Sequence, residues 1–259
     1  MKNVALITGA SSGIGLELAR IHAKKGNDLV IVSRKLSDLE KVKKEFENKY
    51  KIKVVCIAKD LSQPTSAKEL YDEIKSQKIE VEYLINNAGF GGQGYFHERE
   101  WEKDLAMIQV NIVTLTELTR LFLPEFVARN HGRILNTSST ASFMPGPMQA
   151  VYYATKAYVT FFSNAIASEL EGTGVTVTSL MPGATETKFG ATSGMDKTEL
   201  FKKTVSPKVV AKDGYEGMMK GKIDVISGVP TMLRATLAIS PMMPKKMLLN
   251  TIKQQQQVK

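Results

Sequence analysis

Residues 8–15 read Thr8-Gly9-Ala10-Ser11-Ser12-Gly13-Ile14-Gly15, and this stretch decides the fold. The apolar run Val4–Thr8 leads into it, and a helical pattern follows from about Ile14 to Lys25. Glycine lets backbone approach a ligand closely, and a helix start presents unpaired N–H groups to phosphate. A glycine trio by itself is also compatible with a plain tight turn. Set between a strand and a helix, it points to dinucleotide binding. The spacing is Gly-x3-Gly-x-Gly, not the commoner Gly-x-Gly-x-x-Gly.

Outward from this turn, strands and helices alternate. Leu29–Val32 is a second apolar run, followed by a charged amphipathic helix near 36–49. Ile52–Ala58, Tyr83–Ile85, Arg133–Asn136, Val175–Leu180 and Ile223–Ile226 read as further strands. Helical patterns cover 64–77, 98–128 and 150–170. Short apolar runs alternating with long helices predict an α/β fold, a Rossmann-type doubly wound parallel sheet of about seven strands with helices on both faces. No repeat or linker divides the first 228 residues, so 1–228 reads as one catalytic domain and 229–259 as a basic amphipathic C-terminal extension.

The 259 residues are 43% hydrophobic and 24% charged, an ordinary globular composition with length enough for a sizeable core. A single cysteine, Cys56, excludes an intrachain disulfide framework and any multi-cysteine metal site. His22, His97 and His131 are scattered, so no metal centre is expected. No signal peptide is expected, nor any segment near the ~20 apolar residues that span a bilayer. A reduced, cytoplasmic protein is the reading.

The net charge of +9 is unevenly placed. No acidic residue follows Asp224, while Arg234, Lys245, Lys246, Lys253 and Lys259 contribute +5, leaving +4 for residues 1–228. No Lys/Arg run interleaved with aromatics appears, so nucleic acid is not an expected partner. In the tail, Leu233, Leu237, Met247, Leu248 and Ile252 recur at helical spacing, and Pro241 and Pro244 predict a split into two helices. Three roles fit such a tail: a flap covering the core, a helix lying peripherally on an anionic membrane, or a docking element for an acidic partner.

The second strand ends Val32-Ser33-Arg34-Lys35, with no carboxylate where an NAD site places one. A guanidinium holds a 2′-phosphate through two parallel hydrogen bonds, so Arg34 predicts NADP(H). Arg34 and Lys35 solvating a helix start is the plainer alternative. Further on, Tyr152 and Lys156 are four apart in a helical stretch and share a face. An ammonium beside a phenol, whose ordinary pKa is ~10, favours the phenolate and equips it to pass a proton. Ser139 follows the fifth strand, at the sheet edge where ligands bind in open α/β folds. On a random helix, such a Tyr/Lys pair is ordinary surface packing.

Taken in order, these segments resemble the short-chain dehydrogenase/reductase family over about residues 3–228. The matching pieces are Thr8–Gly15, Asp60-Leu61, Asn86-Asn87-Ala88-Gly89, Asn111, Ser139, Tyr152 through Lys156, and Pro182-Gly183-Ala184-Thr185-Glu186-Thr187. The extended branch fits less well, because its glycine spacing differs and it carries a separate substrate domain. The resemblance implies that Tyr152 is the acid/base and that Lys156 lowers its pKa and bonds the nicotinamide ribose. Ser139 would polarise the substrate carbonyl, and Asn111 would hold a water leading from Lys156 to solvent. A polar group bonded to backbone is the alternative for Asn111. Ser138 and Tyr153 fall one position off the motif, and Tyr153 is expected to pack.

For the cofactor, the resemblance implies that Gly9, Ser11, Ser12, Gly13, Ile14 and Gly15 embrace the pyrophosphate. Asp60 and Leu61 would meet adenine, and Asn87, Ala88 and Gly89 the adenosine side. Pro182, Gly183, Thr185 and Thr187 would steady the nicotinamide half. Asn86–Gly89 as a strand-ending turn that only braces the sheet stays open. The implied activity is NADP(H)-dependent carbonyl reduction or alcohol oxidation on a small molecule. An idle, NADP-binding regulator on the same fold is the alternative. Phe90, Phe143, Met144, Met148 and Phe189 suggest an apolar pocket, and 188–204 a closing lid. The family habit is a homodimer or homotetramer, and Leu118, Leu121, Phe122, Phe161 and Phe162 on the long helices permit one.

Overall fold

The computed structural model of the chain describes residues 1–198, 201–230, 234 and 244–256. Leu233, Leu237 and Pro241, expected in the first half of the tail, lie outside the described residues. Seven parallel strands form one sheet: β1 Val4–Thr8, β2 Leu29–Ser33, β3 Val54–Ala58, β4 Val81–Asn86, β5 Gly132–Thr137, β6 Val175–Pro182 and β7 Asp224–Ser227. Their order is β3-β2-β1-β4-β5-β6-β7. The chain winds outward from β1 to β3, then returns to start again at β4. That reversal opens a crevice at the carboxyl ends of β1 and β4.

Strand residues alternate between two cores. Ala5 and Ile7 face α1 (Gly13–Lys24), α2 (Leu36–Tyr50) and, later in the chain, the helix at 207–219. Val4 and Leu6 face α3 (Ser66–Ser76) and the helices at 115–128 and 150–169. Both faces are apolar, as a sheet covered on both sides requires.

The long helical stretch runs as α4 (Trp101–Ile108), a π-helical turn (Gln109–Thr114) and α5 (Leu115–Ala128). Together these 28 residues are long and apolar enough, by length and composition alone, to span a bilayer, a property the sequence reading denied to every segment. The fold accounts for that apolarity. Leu115, Leu118, Phe122 and Phe126 are buried in the monomer. Leu118 and Phe122, offered as interface residues, are therefore core, and Tyr71 of α3 packs edge-on against Phe122. On α6 (Ala150–Glu169), Phe161 is 71% exposed and stays available to another copy.

After β6 come the short α7 (Lys188–Ser193) and α8 (Pro207–Met219). The sequence reading assigned no element to 207–219. Ser206 caps it by accepting from the Lys208 N–H, and Pro207 opens the first turn. Gly214 lets it press onto the sheet, where a Cβ would come within 2.7 Å of the Leu180 side chain. The last described element, α9 (Lys245–Gln256), buries Leu248 and Ile252 and turns Lys245, Lys246, Met247 and Lys253 outward.

At the amino end of the sheet, Asp28 accepts from the backbone N–H of Lys2 at 2.7 Å and of Lys53 at 2.8 Å. His22 is wholly buried between the Asn3 carbonyl at 2.7 Å and the Tyr215 hydroxyl at 2.9 Å. A carbonyl only accepts, so Nε2 carries the proton and Nδ1 accepts from Tyr215. Burial pushes the imidazole down to about 4.

Candidate active site

The glycine turn is held open by its conformation. Gly9 and Gly13 have φ of +68° and +58°, which L side chains rarely adopt. A Cβ at Gly9 would lie 3.0 Å from Asn87 Nδ2, and one at Gly13 would lie 2.9 Å from Thr187. Ser12, at the N-cap of α1, makes no capping bond, so its side chain leaves the helix's first N–H groups to the cleft. Thr8 Oγ1 accepts from the N–H of both Asn87 and Ala88 at 3.0 Å, tying the ends of β1 and β4 together. Asn87 and Ala88 therefore brace the sheet and line the cleft at once.

That cleft measures about 830 Å³ at the carboxyl edge. It is lined by every residue expected in catalysis or cofactor binding except Gly15, packed beneath Asn87, and Asn111. Arg34 and Lys35 stand exposed at one rim. Asp60 closes a local turn by accepting from the Ser62 N–H at 3.1 Å. That bond, with a smaller contribution from Arg34, holds its carboxyl below the usual range. Asp38, Lys59 and Lys188 also border the cleft and were not anticipated.

On the far side, α6 carries Tyr152 and Lys156, both nearly fully buried. Ser139, at the end of β5, is a side-chain hydrogen-bond partner of Tyr152. Ser138 is spent elsewhere: its hydroxyl donates to the Lys156 carbonyl at 2.8 Å and lies 2.7 Å from Thr160 Oγ1. Lys156 Nζ donates to the Thr137 carbonyl at 2.8 Å and lies 5.8 Å from the Tyr152 ring centre.

Tyr152 does not end with the lowered pKa expected of it, because burial outweighs its polar neighbours. Burial pushes that phenol up to about 12, the Ser139 hydrogen bond offsets only part of it, and burial brings the Lys156 ammonium down to about 8. Asn111 sits in the π-helical turn, which turns its side chain onto the 89–90 loop. Its amide donates to the Phe90 carbonyl and to Thr155 Oγ1, each at 3.0 Å, and its Oδ1 accepts from the Phe90 N–H at 3.2 Å. Both amide hydrogens are thus engaged, as in the backbone-bonded alternative. Only the second lone pair of Oδ1 is left for a water.

Thr185 donates to the Gly183 carbonyl at 2.8 Å, and Thr187 caps α7 by accepting from the Phe189 N–H at 3.2 Å. Phe189 lies over Tyr152, with ring centres 5.3 Å apart. Phe189 of α7 thus borders the site beside Tyr152. Phe90, Met144 and Phe189 line the apolar side, joined by Met195, Phe201 and Ile252. Phe143 and Met148 are absent from that lining, a second departure from the sequence reading. Tyr153 is more than packing: it lines the cleft, and its hydroxyl accepts from Gln256 Nε2 at 2.7 Å.

Residues 3–198 match the family model described as short chain dehydrogenase. The chain belongs to the short-chain dehydrogenase family. The chain is 35% identical, over 191 residues, to the very-long-chain 3-oxoacyl-CoA reductase-A of Danio rerio, an alignment covering 71% of this chain and 59% of that protein. It thus spans about three-fifths of that relative's length. A short-chain dehydrogenase from Sphingobium yanoikuyae, solved in complex with NADPH, superposes with a TM-score of 0.83 at 28% identity, covering 92% of this chain and 93% of that one. The bulky-bulky ketone specific alcohol dehydrogenase of Comamonas testosteroni gives 0.79 at 25%, covering 93% and 92%.

Proposed function

We propose that this chain is an NADP(H)-dependent oxidoreductase that reduces a carbonyl group on an apolar substrate, an acyl chain bearing a 3-oxo group or a bulky ketone. The observation that carries the reading is the convergence of Ser139, Tyr152 and Lys156 on one cleft with the glycine turn. The residues present fit the dinucleotide: Gly9 and Gly13 allow a tight positive-φ turn packed against Asn87, Ala88 and Thr187, and the start of α1 offers N–H groups to a pyrophosphate. Arg34 at the rim is placed to favour the 2′-phosphate form. Solved in complex with NADPH, the Sphingobium relative supports the same choice.

Bound, the cofactor supplies the hydride that reduces the carbonyl carbon. Ser139 donates a hydrogen bond to the carbonyl oxygen and orients it toward Tyr152. With its pKa raised to about 12, Tyr152 holds its proton at neutral pH and gives it from Oη to that oxygen as the alcohol forms. Lys156 places its ammonium beside the ring and offsets the phenolate charge that results. Phe189, over the Tyr152 ring, excludes water from the reacting groups.

The test is NADPH oxidation followed at 340 nm over 3-oxoacyl thioesters, diketones and bulky aryl ketones. Turnover of at least one class supports the reading. NADPH binding without turnover of any class contradicts it, and favours the idle, cofactor-binding alternative.

A further inference from the structure

We propose that α9 forms a wall of the substrate cleft and that Gln256 is the catch holding it closed, so that the C-terminal helix sets which carbonyl compounds reach Tyr152. The proposal rests on the functional reading above for its substrate class, but not for the catch itself.

The catch joins three distant segments. Gln256 is the third of four consecutive glutamines, 254–257, a run that reads as solvated tail, yet it is fully buried. Its Nε2 donates to the Tyr153 hydroxyl at 2.7 Å, and its Oε1 accepts from Gln149 Nε2. Its backbone carbonyl accepts from Gln93 Nε2. Gln93 belongs to the glycine-bearing loop after β4, while Gln149 and Tyr153 belong to the start of α6. One residue of α9 thus fastens both loops that flank the cleft.

One turn before it, Ile252 is 4% exposed and lines the cleft. Lys246 and Lys253, off that face, are exposed to solvent, as is Lys245 in the first turn. The helix is therefore amphipathic toward the cleft, and its inner face is what an apolar substrate would touch. Tyr153 also abuts Tyr152 edge-on, with ring centres 6.1 Å apart. Motion of α9 is thereby transmitted to the neighbour of the proton donor.

The closed catch is held with little margin. Gln149 is buried and its Oε1 has no hydrogen-bond partner among the described residues. Such an orphan acceptor destabilises the closed state and regains water on opening. Met148, immediately before it, has φ of +67°, an unfavourable conformation for a side chain bearing a Cβ. Its carbonyl is held there by the Gly94 N–H at 2.9 Å. A strained residue and an unsatisfied amide at the surface that α9 grips weaken the closed state and favour release of the catch.

Limited trypsin digestion of the full-length protein, read by mass spectrometry at Lys253, tests the catch without using activity. Gln256→Ala and Tyr153→Phe are each expected to be cut about tenfold faster than wild type, because cleavage follows the open population. Rates equal to wild type overturn the catch. Ile252→Trp tests the wall: kcat/KM for a long-chain 3-oxoacyl thioester is expected to fall about tenfold relative to a short one, with the NADPH Kd unchanged. Equal losses on both substrates overturn the wall. A wild type that reduces no carbonyl compound overturns the functional reading instead, and digestion still decides the catch.

Discussion

At the amino end of the sheet, Asp28 accepts from the Lys2 and Lys53 N–H groups, and His22 is bonded at both ring nitrogens, by the Asn3 carbonyl and the Tyr215 hydroxyl; at the carboxyl end, Lys156 is as deeply buried and donates to the Thr137 carbonyl. Among the described residues no carboxylate pairs with it. Of the adjacent serines, Ser138 bonds the Lys156 carbonyl and Thr160 on α6, whereas Ser139 lines the cleft, accepts from the Ala141 N–H at 3.1 Å and donates to the Pro182 carbonyl at 3.5 Å. Saturated polar groups mark where the fold is fastened. In the cleft, a deeply buried ammonium with no ion-pair partner among the described residues marks a group available for chemistry.

The largest effect should come from the unsaturated end. Lys156→Met is expected to lower kcat for carbonyl reduction by about a hundredfold or more. In the wild type, kcat/KM should decline as pH rises through about 8, where the buried ammonium loses its proton. A flat profile from neutral into alkaline pH would break the contrast between the two ends. A smaller effect is expected at the rim: Arg34→Asp should raise KM for NADPH by about tenfold and leave NADH nearly untouched. Equal changes for both cofactors would remove Arg34 from the phosphate site.

The smallest effect, on stability alone, should come from the saturated end. His22 is neutral in the fold to about pH 4, while an unfolded chain takes up the proton near 6.5. The unfolded state therefore binds more protons in that window, and stability falls as pH drops from about 6.5 toward 4, by roughly 3 kcal/mol at most. His22→Gln should flatten that limb of the urea midpoint against pH while kcat stays unchanged. A loss of kcat would mean that the two ends are not separate.

Much of this was legible in the sequence, for local reasons. The strand–glycine–helix turn and the alternation of apolar runs with helices are short-range signals, and the sheet obeys them. What was missed depends on distant pairs or on packing. Gly214 and Gly217 interrupt the helical pattern of α8, yet they are what lets it lie against Leu180 and Val225. Gln256 meets Tyr153 across 103 residues, and nothing in a polar run of glutamines announces burial. Asn111 was found by motif, but its bonds to Phe90 and Thr155 follow from a π-helical turn that no spacing predicts. Met148 was read as pocket lining from its apolarity; its left-handed backbone instead serves the loop beside it.

In the proposed reaction Tyr152 delivers the proton at the carboxyl end of the sheet. Tyr152→Phe removes only the hydroxyl and keeps the ring against Phe189. NADPH oxidation by this variant, with a carbonyl compound the wild type reduces, should fall by about a thousandfold. NADPH binding, measured by fluorescence titration, should persist within about twofold. Turnover near the wild-type rate would contradict the claim.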